Sequence, residues 1–321
     1  MPAQAHDALT RSFLRDKGWQ PTTNVVAVSV LNRWQAWLAA RDTQLVDATR
    51  DDVETYLDER AAAGIAAGTR KVDWRMITAL YAWASSEGER TSTGRKVKNV
   101  SAKVNPPKLV ETRPDVLTEF EYRQMLKTCD RRTMRGRRDE AILSLLWWGG
   151  MRRSELVALN LADVDIDGNV TRFAGKPSVL ITANKTSKLR RIGIHPDAAA
   201  AVDRYLRMRK LDDGPLLLSE RGDTHDERRL RPNSIQLVIR RRAKAAGIAR
   251  SVGIHEFRRA WAIRARAAGM SDAAIMQHCG WASLRMLVLY TRTENEELAA
   301  SEFFDKMGAK TTTRRRRRPA A

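Results

Sequence analysis

Residues Asp163–His195, DVDIDGNVTRFAGKPSVLITANKTSKLRRIGIH, depart from the pattern of everything around them. On either side of this stretch apolar residues recur at helical spacing. Within it, Val179-Leu180-Ile181-Thr182 and Arg191-Ile192-Gly193-Ile194 are short β-like runs. Asp167-Gly168 is a turn signal, and Asn184-Lys185-Thr186-Ser187-Lys188 is a polar turn between the two runs. The stretch predicts a small antiparallel β-sheet embedded in helices, which makes the fold class mainly α.

Moving outward, the N-terminal side begins at Leu117-Thr118-Glu119-Phe120-Glu121, where Thr118 and Glu121 form a capping box. A helix follows to about Cys129. Asp139 to Trp148 is nearly all apolar and reads as a buried helix stopped by Gly149-Gly150, with a further turn from Ser154 to Leu159. On the C-terminal side helices are expected at Val202–Leu211, Asn233–Ala246, His255–Ala268, Ser271–Cys279 and Glu294–Met307. The last is amphipathic through Leu298, Phe303, Phe304 and Met307.

Nearer the N-terminus, Val28, Leu31, Trp34 and Leu38 keep helical spacing, and Asp47 to Arg60 reads as a second helix. A third starts at Gly68-Thr69 and sets Arg70, Lys71 and Arg75 opposite Val72, Met76 and Leu80. That basic face is either solvated or a phosphate-contacting surface. Residues 88–116 are basic, polar and interrupted by Pro106-Pro107 and Pro114, as an inter-domain linker would be. The expected division is therefore a weakly patterned extension over 1–23, a helical unit over 24–87, a linker over 88–116, a mixed α/β unit over 117–308 and a basic tail over 309–321. Arg314, Arg315, Arg316, Arg317 and Arg318 make the tail a non-specific polyanion contact.

A chain of 321 residues that is 43% hydrophobic and 30% charged can bury more than one core. Its 58 Lys and Arg against 38 Asp and Glu leave +20, more than solubility needs, and suggest a polyanionic partner, most often nucleic acid and less often an anionic membrane surface. The longest largely apolar stretch, Ala141 to Met151, is too short to span a bilayer, and the start of the chain lacks a signal-peptide core. Two cysteines, Cys129 and Cys279, have neither metal spacing nor a disulfide framework. A cytoplasmic, nucleoid-associated protein is expected, with no membrane partner.

Four local clusters carry chemistry. Gly150-Met151-Arg152-Arg153-Ser154-Glu155-Leu156 places arginines directly after a buried helix, where they could also simply compensate its dipole. Lys185 sits on the polar turn, five residues before Arg190, and a turn lysine is ordinarily a solvated charge. His255 and Arg258 share a helix face, as many surface pairs do. Gly280-Trp281-Ala282-Ser283 precedes Tyr290-Thr291, and Tyr290 ends an apolar run where a core tyrosine would also fit.

In this order and spacing the clusters resemble the tyrosine recombinases, the phage integrase and Xer-type site-specific recombinases. The resemblance implies a core-binding N-terminal helical domain of SAM-like type and a catalytic domain over 117–308. It implies Tyr290 as nucleophile, with Arg152, Lys185, His255, Arg258 and Trp281 as catalytic residues and Glu155 in support. Trp281 stands where the family most often has histidine; an indole N–H donates a hydrogen bond but exchanges no proton at neutral pH. The implied partners are double-stranded DNA recombination sites and a homo-tetramer on DNA, joined through the helix at 294–307.

The residues themselves make such chemistry coherent. A phenol ordinarily ionises near ~10, so cations must assist its attack on a phosphodiester. Guanidinium forks fit the phosphate oxygens, and a lysine can protonate the departing 5′-oxygen. No cofactor and no metal is called for: there is no P-loop pattern and no carboxylate cluster of the two-metal kind. A type IB topoisomerase and a non-catalytic DNA-binding relative are the competing expectations.

Overall fold

The structure is a computed structural model, which describes residues 8–109, 115–169, 175–182, 189–209, 213–219 and 228–291. The chain divides into two compact units, Met1–Thr112 and Arg113–Ala321.

Among its described residues the N-terminal unit has four α-helices, α1 (Ala8–Lys17), α2 (Pro21–Ala39), α3 (Arg50–Ala62) and α4 (Ala67–Ser86). Trp34, Leu38, Ile77, Leu80 and Tyr81 are fully buried between them. The two large polar aromatics satisfy each other: Trp34 Nε1 donates to Tyr81 Oη at 3.1 Å, and Tyr81 Oη donates to the Leu45 carbonyl at 2.7 Å. Thr49 caps α3 in a reciprocal box with Asp52.

Two expected boundaries fall within this unit's core. Residues 8–17 of the expected extension form α1, which buries Leu9 and Phe13 in it. Phe13 meets Trp19 edge-on at 5.3 Å, and Trp83 Nε1 donates to Asp16 at 2.9 Å. Part of the stretch 88–116 also belongs to this unit. Val97 and Val104 are buried in its core, Arg90 and Lys96 pair in a bridge, and Trp74 Nε1 donates to the Val104 carbonyl at 3.0 Å. In both places the apolar residues are few, Leu9, Phe13 and Leu14 in one and Val97, Val100 and Val104 in the other, and polar residues surround them.

On α4, Met76 and Leu80 are buried as expected and Arg75 is exposed, with Arg70 and Lys71 half-buried. Arg70 Nε donates to the Ile65 carbonyl at 3.0 Å, so it also holds the turn before the helix. Asp73 is buried on the same helix, its charge met by Arg33 at 2.9 Å and Arg60 at 2.8 Å.

In the second unit, α5 (Glu119–Lys127) opens with the Thr118–Glu121 capping box. Next come α6 (Met134–Gly149), buried around nearly its whole circumference, and α7 (Arg153–Ala158). Strands β1 (Val164–Asp165), β2 (Ser178–Ile181) and β3 (Arg190–Gly193) form an antiparallel sheet in that order. Its register sets Val179 opposite Ile192 and Ile181 opposite Arg190. Helices α8 (Pro196–Leu206), α9 (Pro232–Ala245), α10 (Ile254–Ala267) and α11 (Asp272–Cys279) follow, and residues 284–291 are helical. Val179, Ile181 and Ile192 face the core, and the same alternation puts Arg190 there too. A charge on a core face breaks the local pattern and marks the functional site.

Candidate active site

The site is organised around the end of α6. The last carbonyls of a helix have no partner within it. Here four successive carbonyls are capped from the segment 258–278. Arg264 donates to Trp147 O, Trp261 Nε1 to Trp148 O at 2.9 Å, His278 Nε2 to Gly149 O at 2.9 Å, and Arg258 Nη1 to Gly150 O at 2.7 Å. Gly150 takes the left-handed conformation at φ +54°, and a Cβ there would lie 2.8 Å from the Trp261 ring. Both facts require glycine. The chain can therefore turn sharply and start α7 at once, with Arg152 as its N-cap.

Glu155, fully buried on α7, gathers the cations. Its Oε1 accepts from Arg152 Nη1 at 2.6 Å, and its Oε2 accepts from the Arg152 backbone N–H at 2.8 Å and from Arg190 Nη2 at 3.0 Å. Arg258 Nη1 lies 4.0 Å from the same oxygen. Burial works against ionisation of this carboxyl. The hydrogen bonds from Arg190 and Arg152 outweigh that effect and hold its pKa below the ordinary carboxylate value.

Arg152 Nη2 also donates to the Gly280 carbonyl at 2.9 Å, yet 35% of its side chain remains exposed. Arg258 is only 2% exposed and donates to the carbonyls of Gly150 and Cys279. One guanidinium is thus presented outward, while the other is fixed at the floor of the site.

Arg190 was not singled out as a site residue in the sequence, where an arginine on a β-edge reads as solvated. Besides Glu155 it holds the His278 carbonyl through Nε at 2.9 Å. Gly280, left-handed at φ +60°, would place a Cβ 3.0 Å from the Arg190 guanidinium carbon. Arg190 therefore ties β3 both to the carboxylate under Arg152 and to the backbone leading to Trp281.

Trp281 is nearly buried, in an apolar cluster with Trp261, Ile275, Cys279 and Leu287. The Arg258 guanidinium carbon lies 5.1 Å from its ring and the Tyr290 ring 4.9 Å away. Tyr290 Oη is 3.3 Å from His255 Nδ1. His255 stands in the first turn of α10, whose start is fixed by Gly253 N–H donating to Glu256 at 2.7 Å. Burial first, and then the arginines at 258, 259, 153 and 152, push the His255 pKa below its ordinary value. At neutral pH the ring is uncharged, and with its proton on Nε2 it accepts from the Tyr290 hydroxyl.

His278, also overlooked in the sequence, stacks on Trp261 at 3.9 Å, and burial pushes its pKa down to about 4. It is therefore neutral and donates to Gly149 O.

The structure brings together Arg152, Glu155, His255, Arg258, Trp281 and Tyr290. Lys185 lies outside the described residues, as do the expected helix at 294–307 and Arg314 to Arg318. Arg70, Lys71 and Arg75 belong to the other unit. No helix among the described residues is long and apolar enough to cross a membrane.

The six positions lie together in the second unit, with Tyr290 Oη at His255 and two arginines about one buried carboxylate. Comparison with known proteins names the family. The phage integrase family matches residues 115–297, and the N-terminal SAM-like domain of phage integrases matches residues 13–88. The chain belongs to the phage integrase family and is a tyrosine-type site-specific DNA recombinase.

It is similar to the tyrosine recombinase XerC of Myxococcus xanthus, 29% identical over 272 residues, which span 77% of this chain and 85% of that protein. It is also similar to XerD of Bifidobacterium longum, 26% identical over 312 residues and covering 90% and 94% of the two chains. Its fold is that of a lambda integrase dimer bound to a COC′ core site, with a TM-score of 0.68, 20% identity and coverage of 88% and 75%. XerH bound to palindromic difH substrate gives the same TM-score of 0.68 at 14% identity, covering 93% and 84%.

Proposed function

We propose that Tyr290 attacks a phosphodiester in double-stranded DNA at a specific recombination site and forms a 3′-phosphotyrosyl intermediate. The P–O bond to Tyr290 Oη forms as the P–O5′ bond breaks. The phenolic proton passes to His255 Nδ1, and the departing 5′-oxygen takes a proton from Lys185. Arg152 and Arg258 clamp the non-bridging oxygens in the transition state, with Trp281 as a further N–H donor. Rejoining to a partner strand reverses these transfers and needs no external energy, because the phosphoester bond is conserved. Glu155 and Arg190 hold the clamp.

The observation that carries this reading is the 3.3 Å contact of Tyr290 Oη with His255 Nδ1, beside two arginines about one buried carboxylate. The strongly basic composition and the paired matches to both family domains support DNA as substrate. The basic face at Arg70, Lys71 and Arg75 and the tail at 314–318 are read as further DNA contacts, and 309–321 as a tail outside the catalytic domain. The segment 294–307 is read as the link of a homo-tetramer on DNA. The lambda integrase tetramer bound to a Holliday junction, 19% identical with a TM-score of 0.68, shows such an assembly for a protein of this fold. Action on DNA puts the protein at the nucleoid, in the cytoplasm.

A nicked suicide substrate tests the chemistry, because the strand fragment diffuses away and traps the covalent adduct. Tyr290→Phe removes only the hydroxyl and is expected to abolish adduct formation while leaving DNA binding nearly intact. Adducts of undiminished yield from that variant would reassign the nucleophile.

A further inference from the structure

We propose that Arg259 is a positioning residue for Tyr290: its guanidinium, set over the phenol ring, favours the phenolate that develops as the hydroxyl attacks. This rests on Tyr290 being the nucleophile.

Arg259 follows Arg258 directly on α10. One helical step turns a side chain by about 100°. Arg258 accordingly runs inward to the Gly150 and Cys279 carbonyls, while the Arg259 guanidinium carbon lies 5.7 Å from the centre of the Tyr290 ring. Arg259 Nη1 donates to the Asp115 carbonyl at 3.2 Å. Its Nε is buried and has no hydrogen-bond partner among the described residues. One backbone carbonyl is little compensation for a half-buried cation. Burial also pushes its pKa below the ordinary arginine value.

Among the described residues, two acidic groups reach it: Glu256, already engaged by Gly253 N–H and Arg250, and Tyr290 itself. A neutral phenol attracts a cation through its ring face, and a phenolate attracts it more strongly. An attraction that grows as charge develops lowers the barrier rather than only the ground state. Among the described residues, the titratable and charged groups facing Tyr290 are His255 at its hydroxyl and Arg258 and Arg259 from α10, with Arg152 acting on His255 and Arg258. Among these, Arg259 is the arginine that lies over the ring.

The alternatives are that Arg259 serves only to tie down Asp115, or only to contact a DNA phosphate. Single-turnover cleavage of the suicide substrate by saturating full-length protein, measured across pH, separates them. Melting temperature and half-site affinity are measured alongside. Arg259→Gln is expected to cleave about tenfold more slowly near neutral pH. The rise of its rate with pH is expected to move to higher pH. Arg259→Lys keeps the charge and is expected to restore most of the rate and the wild-type profile.

A profile for Arg259→Gln that superimposes on wild type overturns the proposal, as does a loss confined to affinity or melting temperature. If the glutamine variant does not fold, the lysine variant decides: a profile within about twofold of wild type supports the role of charge, and an upward-shifted one overturns it. Tyr290→Phe runs in parallel. Adducts from that variant would sink the assignment of the nucleophile, whereas silence there with an unshifted Arg259→Gln profile would sink this proposal alone.

Discussion

Glu155 concentrates the electrostatics of the site in one side chain. A single buried carboxylate accepts from Arg152 and Arg190 and lies within 4.0 Å of Arg258. Glu155→Gln keeps the shape and removes the charge, leaving three cations around a neutral amide. Breaking a buried ion pair from one side costs about 3 kcal/mol or more. A lower melting temperature is therefore expected, together with a cleavage rate reduced by roughly a hundredfold through loss of alignment of Arg152. Wild-type melting temperature and single-turnover cleavage in this variant would refute the role.

The pH dependence has a definite sign. The folded pKa of Glu155 is depressed, so its contribution is present above the ordinary value of 4.5 and is lost as pH falls through the folded value. Glu155 was legible in the sequence because it falls inside a local motif with Arg152. Arg190 was not. Its partners, Glu155 and the His278 carbonyl, are remote in the chain, and a strand arginine beside a polar turn looks solvated until the register places it on the core face.

At the scale of elements, the end of α6 explains why the sharp turn at Gly149-Gly150 can be buried. Four carbonyls are capped by side chains from α10 and α11, so these helices are registered to α6 by hydrogen bonds as well as by packing. One cap titrates. The folded pKa of His278 is about 4 against an ordinary 6.5, so the unfolded chain binds the extra proton first as pH falls. Stability is expected to decline between these two values and to be insensitive to this group above 6.5. His278→Gln should flatten that part of a plot of melting temperature against pH; an unchanged slope would show that another group titrates there.

The helices on this path were legible from apolar spacing, and the stop at the two glycines from their backbone freedom. The caps were not, because donors from residues 258–278 meet the end of α6 only once the unit has folded.

At the scale of the whole molecule, one compact unit holds the six candidate residues described above, and the other is a helical unit that carries Arg70, Lys71 and Arg75. The fold class and most of the helices from α2 onward could be read from periodicity and capping signals; α1 could not. The edges of the N-terminal unit could not. Leu9 and Phe13 at one edge, and Val97 and Val104 at the other, are isolated anchors in polar surroundings whose value appears only against Trp83 and the rest of that core.

Arg314 to Arg318 add five positive charges near the end of the sequence. Deleting residues 312–321 is expected to weaken DNA binding similarly on every sequence and to reduce the slope of log affinity against log salt, since fewer counterions are released. A loss restricted to the cognate site would instead make the tail a reader of sequence.

The most direct measurement combines these levels: trap the full-length protein on a suicide substrate, digest the adduct, and identify by mass spectrometry the modified peptide and the polarity of its DNA link. The expected result is one nucleotide-bearing peptide modified at Tyr290, joined through a 3′-phosphate, with a free 5′-hydroxyl on the released strand. Attachment at another residue, a 5′-phosphate link, or cleavage without any covalent adduct would contradict it.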